Sequence, residues 1–391
     1  MKRKITEISV YEFFMCMFVI SIHLLSEGVD FFPKWSVSSV IFKTLTTLMT
    51  FAVPGFVFTS AVKLFYKYSE GRFKYGKFLL GRFLKIYVPY ILAVTIYYIV
   101  FVYALSLDGY EKFDIKELLG FILSGNISAQ FYFVVLIIQF YILMPLWIGI
   151  SRIKSKAGLI ALIAVSFGIT ALSRMFLPEI MTGAAKGLIN LNVVHNVDLT
   201  ELSKVFAGYT NKAFSSYMIF WVMGVYVGLN YDEFSEKITE SRAVIYVGWF
   251  ILAIAHCILS YVQLAGYIKY SYSPFMVIFF CLFSMLGFYI YSRDLTFSLE
   301  KMGKGFLMSI AGASYDIYLM HCLVITVVQY YLGHIEIENT LQRFFITAGI
   351  TFGFSIIFCG ITASFKENIK RGRKRKLTAK SRKIARRKRY L

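Results

Sequence analysis

The sequence predicts an all-α integral membrane protein, a bundle of about ten transmembrane helices with both termini in the cytoplasm. Three observations carry that expectation. Of the 391 residues, 58% are hydrophobic and 16% charged, against roughly 25% charged in an ordinary soluble domain, and mean hydropathy is +0.64. Apolar runs of about 20 residues recur along the chain, each long enough to cross a hydrocarbon core of roughly 30 Å. Lys and Arg concentrate in alternate loops, which orients the helices. A soluble fold of two or three domains, which length alone would suggest, has no use for so much apolar surface.

The first run, near 8–26, follows Met1-Lys2-Arg3-Lys4, which resembles the basic start of a signal peptide. Ile22-His23-Leu24-Leu25-Ser26-Glu27 offers no small-residue cleavage site, so a retained first helix is expected. Runs at 40–62 and 84–106 flank a connection rich in Lys63, Lys67, Arg72, Lys74, Lys77, Arg82 and Lys85, with Glu70 its one acid. That connection is expected to be cytoplasmic. Loop 107–129 sets Asp108, Glu111, Asp114 and Glu117 against Lys112 and Lys116, and is expected outside. The fourth and fifth runs, 130–150 and 157–176, flank a basic turn with Arg152, Lys154 and Lys156. A polar loop at about 177–213 follows, long enough to cover an outward-facing site. Runs at 214–230, 243–263, 273–292, 308–331 and 341–363 complete the set, with Glu336 and Glu338 in the last outer loop.

Two regions result, a transmembrane domain at 1–365 and a basic cytoplasmic tail at 366–391. From Lys366 onward the tail holds fourteen Lys or Arg and one acid, Glu367, a net +13 of the chain's +20. Beside a final membrane helix, such a run is read as meeting anionic lipid headgroups rather than nucleic acid. Cys16, Cys257, Cys281, Cys322 and Cys359 all fall in predicted helices without paired spacing. They read as small packing residues, and neither disulfides nor a metal is expected. No internal repeat, Gly-rich phosphate loop or second soluble domain is visible.

Ionisable residues in a membrane span are functional candidates, because burying them costs several kcal/mol unless they are paired or hydrated. Glu12 and His23 lie eleven residues apart, close to three turns, so they share a face while standing roughly 16 Å apart along the axis. His23 is a candidate general base; a helix-end histidine at the headgroup level is the plainer alternative. Arg82 and Lys85, three apart before the third run, are suited to the phosphates of a cytoplasmic cosubstrate or to ordinary positive-inside anchoring. Ser314, Tyr315, Asp316, Tyr318 and His321 form a polar patch too dense for packing alone, with interhelical hydrogen bonding as the other reading. Gln130, Tyr132, Gln139 and Pro145 open the fourth run, where aromatics usually mark the interface.

In this order, these features resemble the acyltransferase-3 family of bacterial membrane proteins, over nearly the whole chain. The family's R-x10-H pattern keeps its spacing with His23 in the histidine place. Pro54-Gly55-Phe56-Val57-Phe58-Thr59-Ser60-Ala61 is similar to its second-helix motif, and Arg82-x-x-Lys85 to its R-x-x-R. Gln130 to Pro145 matches a third motif loosely. Ser314 to His321 matches the S-Y-x-I-Y-L-x-H signature closely, and is the most specific.

The resemblance implies a single-domain, multi-pass bacterial cell-membrane enzyme, an O-acyltransferase of surface glycans. Its cosubstrate would be acetyl-CoA or another acyl-CoA from the cytoplasm, with no permanently bound cofactor. Its acceptor would be a hydroxyl of a cell-surface glycan or lipid-linked sugar. Catalysis would involve His23 and Glu12, donor binding Arg82 and Lys85, and a substrate conduit Tyr132, Ser314, Tyr315, Tyr318 and His321. Whether the family works as homodimers is left open, as is the choice between a general-base and an acyl-histidine route. Glu12 stands where the family has arginine, so three alternatives stay open: the arginine's role is met elsewhere, the donor differs, or transfer is lost. Readings of another class are a transporter of a glycan or small anion, and a non-catalytic scaffold of a glycan synthase.

Overall fold

The computed structural model describes residues 5–33, 35–68, 73–110, 112–190, 208–267, 274–302, 314–335, 337, 339–358, 360–362 and 364. The basic tail 366–391, Glu336, Glu338 and the start of the expected ninth run lie outside these residues. Helix dominates throughout, and no strand occurs among the described residues.

The helices are α1 (Thr6–Phe31), α2 (Val37–Leu48), α3 (Ala52–Tyr68), α4 (Tyr75–Arg82), α5 (Val88–Ile99), α6 (Ile115–Ser124), α7 (Tyr132–Ile142) and α8 (Met144–Ile150). They continue with α9 (Lys156–Asn190), α10 (Met218–Leu229), α11 (Tyr231–Glu240), α12 (Arg242–Leu264), α13 (Pro274–Lys301), α14 (Ser314–Gly333) and α15 (Thr340–Thr362). Among the described residues, eight helical stretches are long and apolar enough to cross a membrane, or nine if one bent pair counts as a span. In lipid every backbone group needs an internal partner, and helices meet that demand within one segment.

The difference from ten spans has two local causes. The expected fourth run, 130–150, is interrupted after Ile142, and its first part forms a bent pair with α6 of the expected outer loop 107–129, the two meeting at 57°. Gly125 ends α6 at φ +66°, a left-handed cap open to glycine, and the Tyr90 hydroxyl donates to the freed Ile122 carbonyl at 2.9 Å. The expected sixth run, Phe214–Leu229, is too short to count alone. Its α10 packs tightly on α3 through Gly224 and Gly228, a G-x-x-x-G pair. A Cβ at Gly224 would come within 2.4 Å of the Phe58 carbonyl oxygen, and one at Gly228 within 2.7 Å of that of Val62.

Prolines set the remaining breaks, since each removes an N–H and crowds the carbonyl four residues earlier. Pro54 accounts for the interruption between α2 and α3, Pro145 for that between α7 and α8. Pro89 lies just after a π-helical turn at Phe83–Tyr87. By contrast α9 runs through Pro178 to Asn190, well past the expected end at 176. The polar loop is correspondingly shorter, and its residues 191–207 lie outside the described ones.

Candidate active site

His23 on α1 and His321 on α14 meet with ring centroids 5.3 Å apart. The two helices pack directly, and the Cys16 thiol of α1 donates to the Ser314 carbonyl of α14 at 3.3 Å. His321 is 1% exposed. Its Nδ1 lies 2.8 Å from the Tyr318 carbonyl oxygen, an acceptor, so Nδ1 carries the proton and Nε2 is left to accept. The Cys322 thiol, 3.2 Å from Nε2, fits that role as donor. His321 is thereby fixed in tautomer and orientation behind His23, which lines a cavity of about 810 Å³.

A buried hydroxyl organises the backbone beside this pair. Tyr97 of α5 donates to the Leu319 carbonyl (3.1 Å) and accepts from the Leu323 amide (2.7 Å), the two groups that a regular turn of α14 joins to each other. Gln130 donates to the same hydroxyl at 2.7 Å, and its side-chain oxygen accepts from Ser128 at 2.6 Å. Tyr318 in turn donates to the Gln130 carbonyl. The turn bearing His321 and Cys322 is thus held from outside its own helix.

The cavity wall brings Tyr132, Tyr318 and Gln130 together with His23. It also presents Arg174 of α9, whose Nε donates to the Ser216 carbonyl at 3.0 Å and whose guanidinium stacks over Tyr217 (5.3 Å). Tyr132 pairs with Tyr217, and the Arg174 charge acts on it. Arg174 was legible as a lone cation in the apolar stretch Ala171-Leu172-Ser173-Arg174-Met175-Phe176, and sequence reasoning passed it over. Thr210 and Asn211, from the end of the expected outer loop, close one side. Among the described lining residues there are two cations, Lys43 and Arg174, and no carboxylate.

The other expected site residues gather elsewhere. Glu12 is ion-paired with Lys63 of α3 and does not contact His23. Its charge also reaches Tyr141, which meets Ser60 and Arg82. Arg82 stacks over Tyr141 and Phe78 at 5.3 and 5.4 Å, and lines a separate cavity of about 440 Å³. Lys85 is exposed and does not line it. The shared face expected for Arg82 and Lys85 is lost because Phe83–Tyr87 is π-helical, and the wider turn no longer stacks positions three apart. Tyr315 links the two regions: its hydroxyl donates to the Ile86 carbonyl within that turn (2.9 Å), while its ring stacks on Tyr318. Ser314 is buried at the α14 start against Cys16.

One cluster has metal-ligand chemistry. His23, His321 and Cys322 bring their donor atoms within 4.8 Å of one another. That spread exceeds the roughly 3.5 Å between ligands of a tetrahedral zinc with bonds near 2.0 and 2.3 Å. The thiol-to-imidazole hydrogen bond accounts for the closeness of Cys322 and His321 without an ion. Among the described residues, Cys16, Cys257, Cys281 and Cys322 form no disulfide.

Fold and site together define a class: a multi-pass membrane protein with a buried histidine behind a second histidine that lines a cavity. Within that class the chain belongs to the acyltransferase-3 family, whose model, described as an acyltransferase domain, matches residues 7–360 of the 391. It is a membrane acyltransferase. No curated protein and no solved structure is significantly similar to the chain.

Proposed function

We propose that the protein takes an acyl group from a cytoplasmic acyl-CoA, with acetyl-CoA the expected donor, and passes it to a hydroxyl of a cell-surface glycan or envelope polymer. The observation that carries this reading is His23, backed by a tautomer-fixed His321 and opening on a cavity large enough for both reacting groups. Loop charge supports the direction: the Lys- and Arg-rich connection 63–85 suits the cytoplasmic side of a bacterial cell membrane, where Arg82 would serve the donor end.

In this scheme His23 takes the proton of the acceptor hydroxyl as its oxygen attacks the thioester carbonyl. The C–S bond breaks, and CoA leaves with the proton that His23 held. Arg174 and Tyr132 are the cavity groups placed to meet the developing oxyanion. Tyr318 already donates to the Gln130 carbonyl, so its contribution is to hold the wall in place. Lys63, facing Glu12 across α1 and α3, restores a cation where the family pattern has arginine.

The test is mass analysis of envelope glycans from cells carrying His23→Ala. Loss of acyl substituents at unchanged membrane levels of the protein is expected; full acylation would remove His23 from the mechanism. Reconstituted vesicles test the same reading independently: thioester consumption supports it, whereas solute flux without consumption favours a transporter.

A further inference from the structure

The cavity has a second wall that the acyl-transfer scheme does not use. It is built by α2 and α12, away from the family motifs. Thr47 and Ser260 pair across these helices at 3.2 Å, and Thr50 meets His256 Nε2 at 3.3 Å. Thr50 lies in the break between α2 and α3, and its hydroxyl also donates to the Thr47 carbonyl at 2.8 Å.

Two polar atoms on the cavity lining are buried and unpartnered. His256 is 7% exposed and Thr210 8%, and neither His256 Nδ1 nor Thr210 Oγ1 has a hydrogen-bond partner. Buried polar groups are nearly always satisfied, and one left without a partner is costly. The His256 ring lies against Phe280, centroids 4.6 Å apart. Lys43 stands on the same wall and Arg174 across from it, with no carboxylate among the described lining residues. Hydroxyl-rich lining, two orphaned hydrogen-bonding atoms and an excess of positive charge describe one kind of ligand.

We infer that this wall is the acceptor subsite, and that the acceptor is a polyhydroxylated anion: a sugar unit bearing a carboxylate or phosphate. Its hydroxyls engage Thr50, His256 and Thr210, and its charge lies between Lys43 and Arg174. Trp35, exposed, held at φ +68° and 6.2 Å from Tyr261, offers an aromatic ledge beside α2 and α12 for a neighbouring sugar ring. Calling the ligand the acceptor rests on the acyl-transfer reading; the anionic sugar site itself does not.

The experiment measures binding of glucose, glucuronate and glucose 6-phosphate to the full-length protein in nanodiscs. The two anions are expected to bind about ten-fold more tightly than glucose, the worth of one charge-assisted contact. Which anion binds better distinguishes a carboxylate-bearing from a phosphate-bearing acceptor. Lys43→Gln is expected to abolish the preference, and His256→Asn to weaken all three sugars, each variant checked for monodispersity. His23→Ala is expected to bind the sugars normally while losing transfer, which separates the subsite from the chemistry. Equal binding of charged and neutral sugars, or an anion preference untouched by Lys43→Gln, overturns the subsite. Displacement of glucuronate by excess CoA overturns it as well, by assigning the cations to the donor.

Discussion

The His23 and His321 rings face each other across α1 and α14 with centroids 5.3 Å apart, and only His23 lines the cavity. The pair is therefore unequal. His23 is placed to meet substrate, and His321, tied at Nδ1 to the Tyr318 carbonyl, is placed to orient it. Replacing His23 by Ala is expected to lower acyl-CoA consumption by roughly 10²–10⁴-fold, the range for a lost general base. His321→Asn, whose amide can take the place of Nδ1 at the Tyr318 carbonyl, is expected to cost far less. Equal losses in purified protein would show that the two histidines act as one unit.

Tyr97 supplies a sharper test of positioning. Its hydroxyl joins Leu319 O, Leu323 N and Gln130, all buried. Tyr97→Phe leaves those groups short of a partner, and a loss of about 1–3 kcal/mol in stability is expected. Because the same hydroxyl fixes the turn bearing His321, turnover is expected to fall while the apparent affinity for acyl-CoA is unchanged. A variant that loses stability but keeps turnover would confine Tyr97 to the fold.

Much of this architecture was legible in the sequence, because lipid forces apolar length and the loops declare their charge. His23 and His321 were each legible as candidates, through the spacing of His23 and the run from Ser314 to His321, but their pairing was not. What stayed hidden depends on contacts between distant segments. Nothing local marks Tyr97 among the neighbouring Tyr98 and Tyr103, or Lys63 among seven cations of its connection. Gly224 and Gly228 carry a recognisable spacing, yet only their approach to the Phe58 and Val62 carbonyls shows its use. The π-helical turn that parts Arg82 from Lys85 likewise escapes a reading based on a uniform helix.

Gly224 gives a test of that packing. An Ala there would set its Cβ 2.4 Å from the Phe58 carbonyl oxygen, an atom that cannot swing aside. Gly224→Ala is expected to destabilise the protein by at least the roughly 1–3 kcal/mol typical of overpacking, read as a lower thermal midpoint in detergent. Gly76→Ala, where nothing lies within 4 Å of the new Cβ, is the matched control and is expected to be neutral.

The Glu12–Lys63 pair allows a charge-swap experiment. Glu12→Gln and Lys63→Met each leave one charge without its partner in a low-dielectric setting, and each is expected to destabilise and to reduce turnover. Exchanging the two as Glu12→Lys with Lys63→Glu restores attraction, and is expected to recover most of the stability. Activity then decides between roles. Recovery of turnover in the swapped protein indicates that a net-neutral pair suffices, whereas continued loss shows that the position of the cation matters.

Lys212, outside the membrane-spanning helices, makes stability depend on pH. Its ammonium is buried where the bent pair α6 and α7 meets the segment before α10, donating to the Ser124 carbonyl at 2.7 Å and to the Asn126 side chain. Burial holds its pKa below the ordinary lysine value. Between that lowered value and about 10.4, the unfolded chain binds more protons than the folded one, so stability rises with pH across this window. Below the window both states are protonated and the contribution is flat. Lys212→Met removes the titration and strands two acceptors, so it is expected to be less stable at every pH and to lack the alkaline rise. Thermal midpoints of both proteins between pH 7 and about 10.5 measure this directly. Parallel curves would show that the Lys212 ammonium keeps an ordinary affinity for its proton.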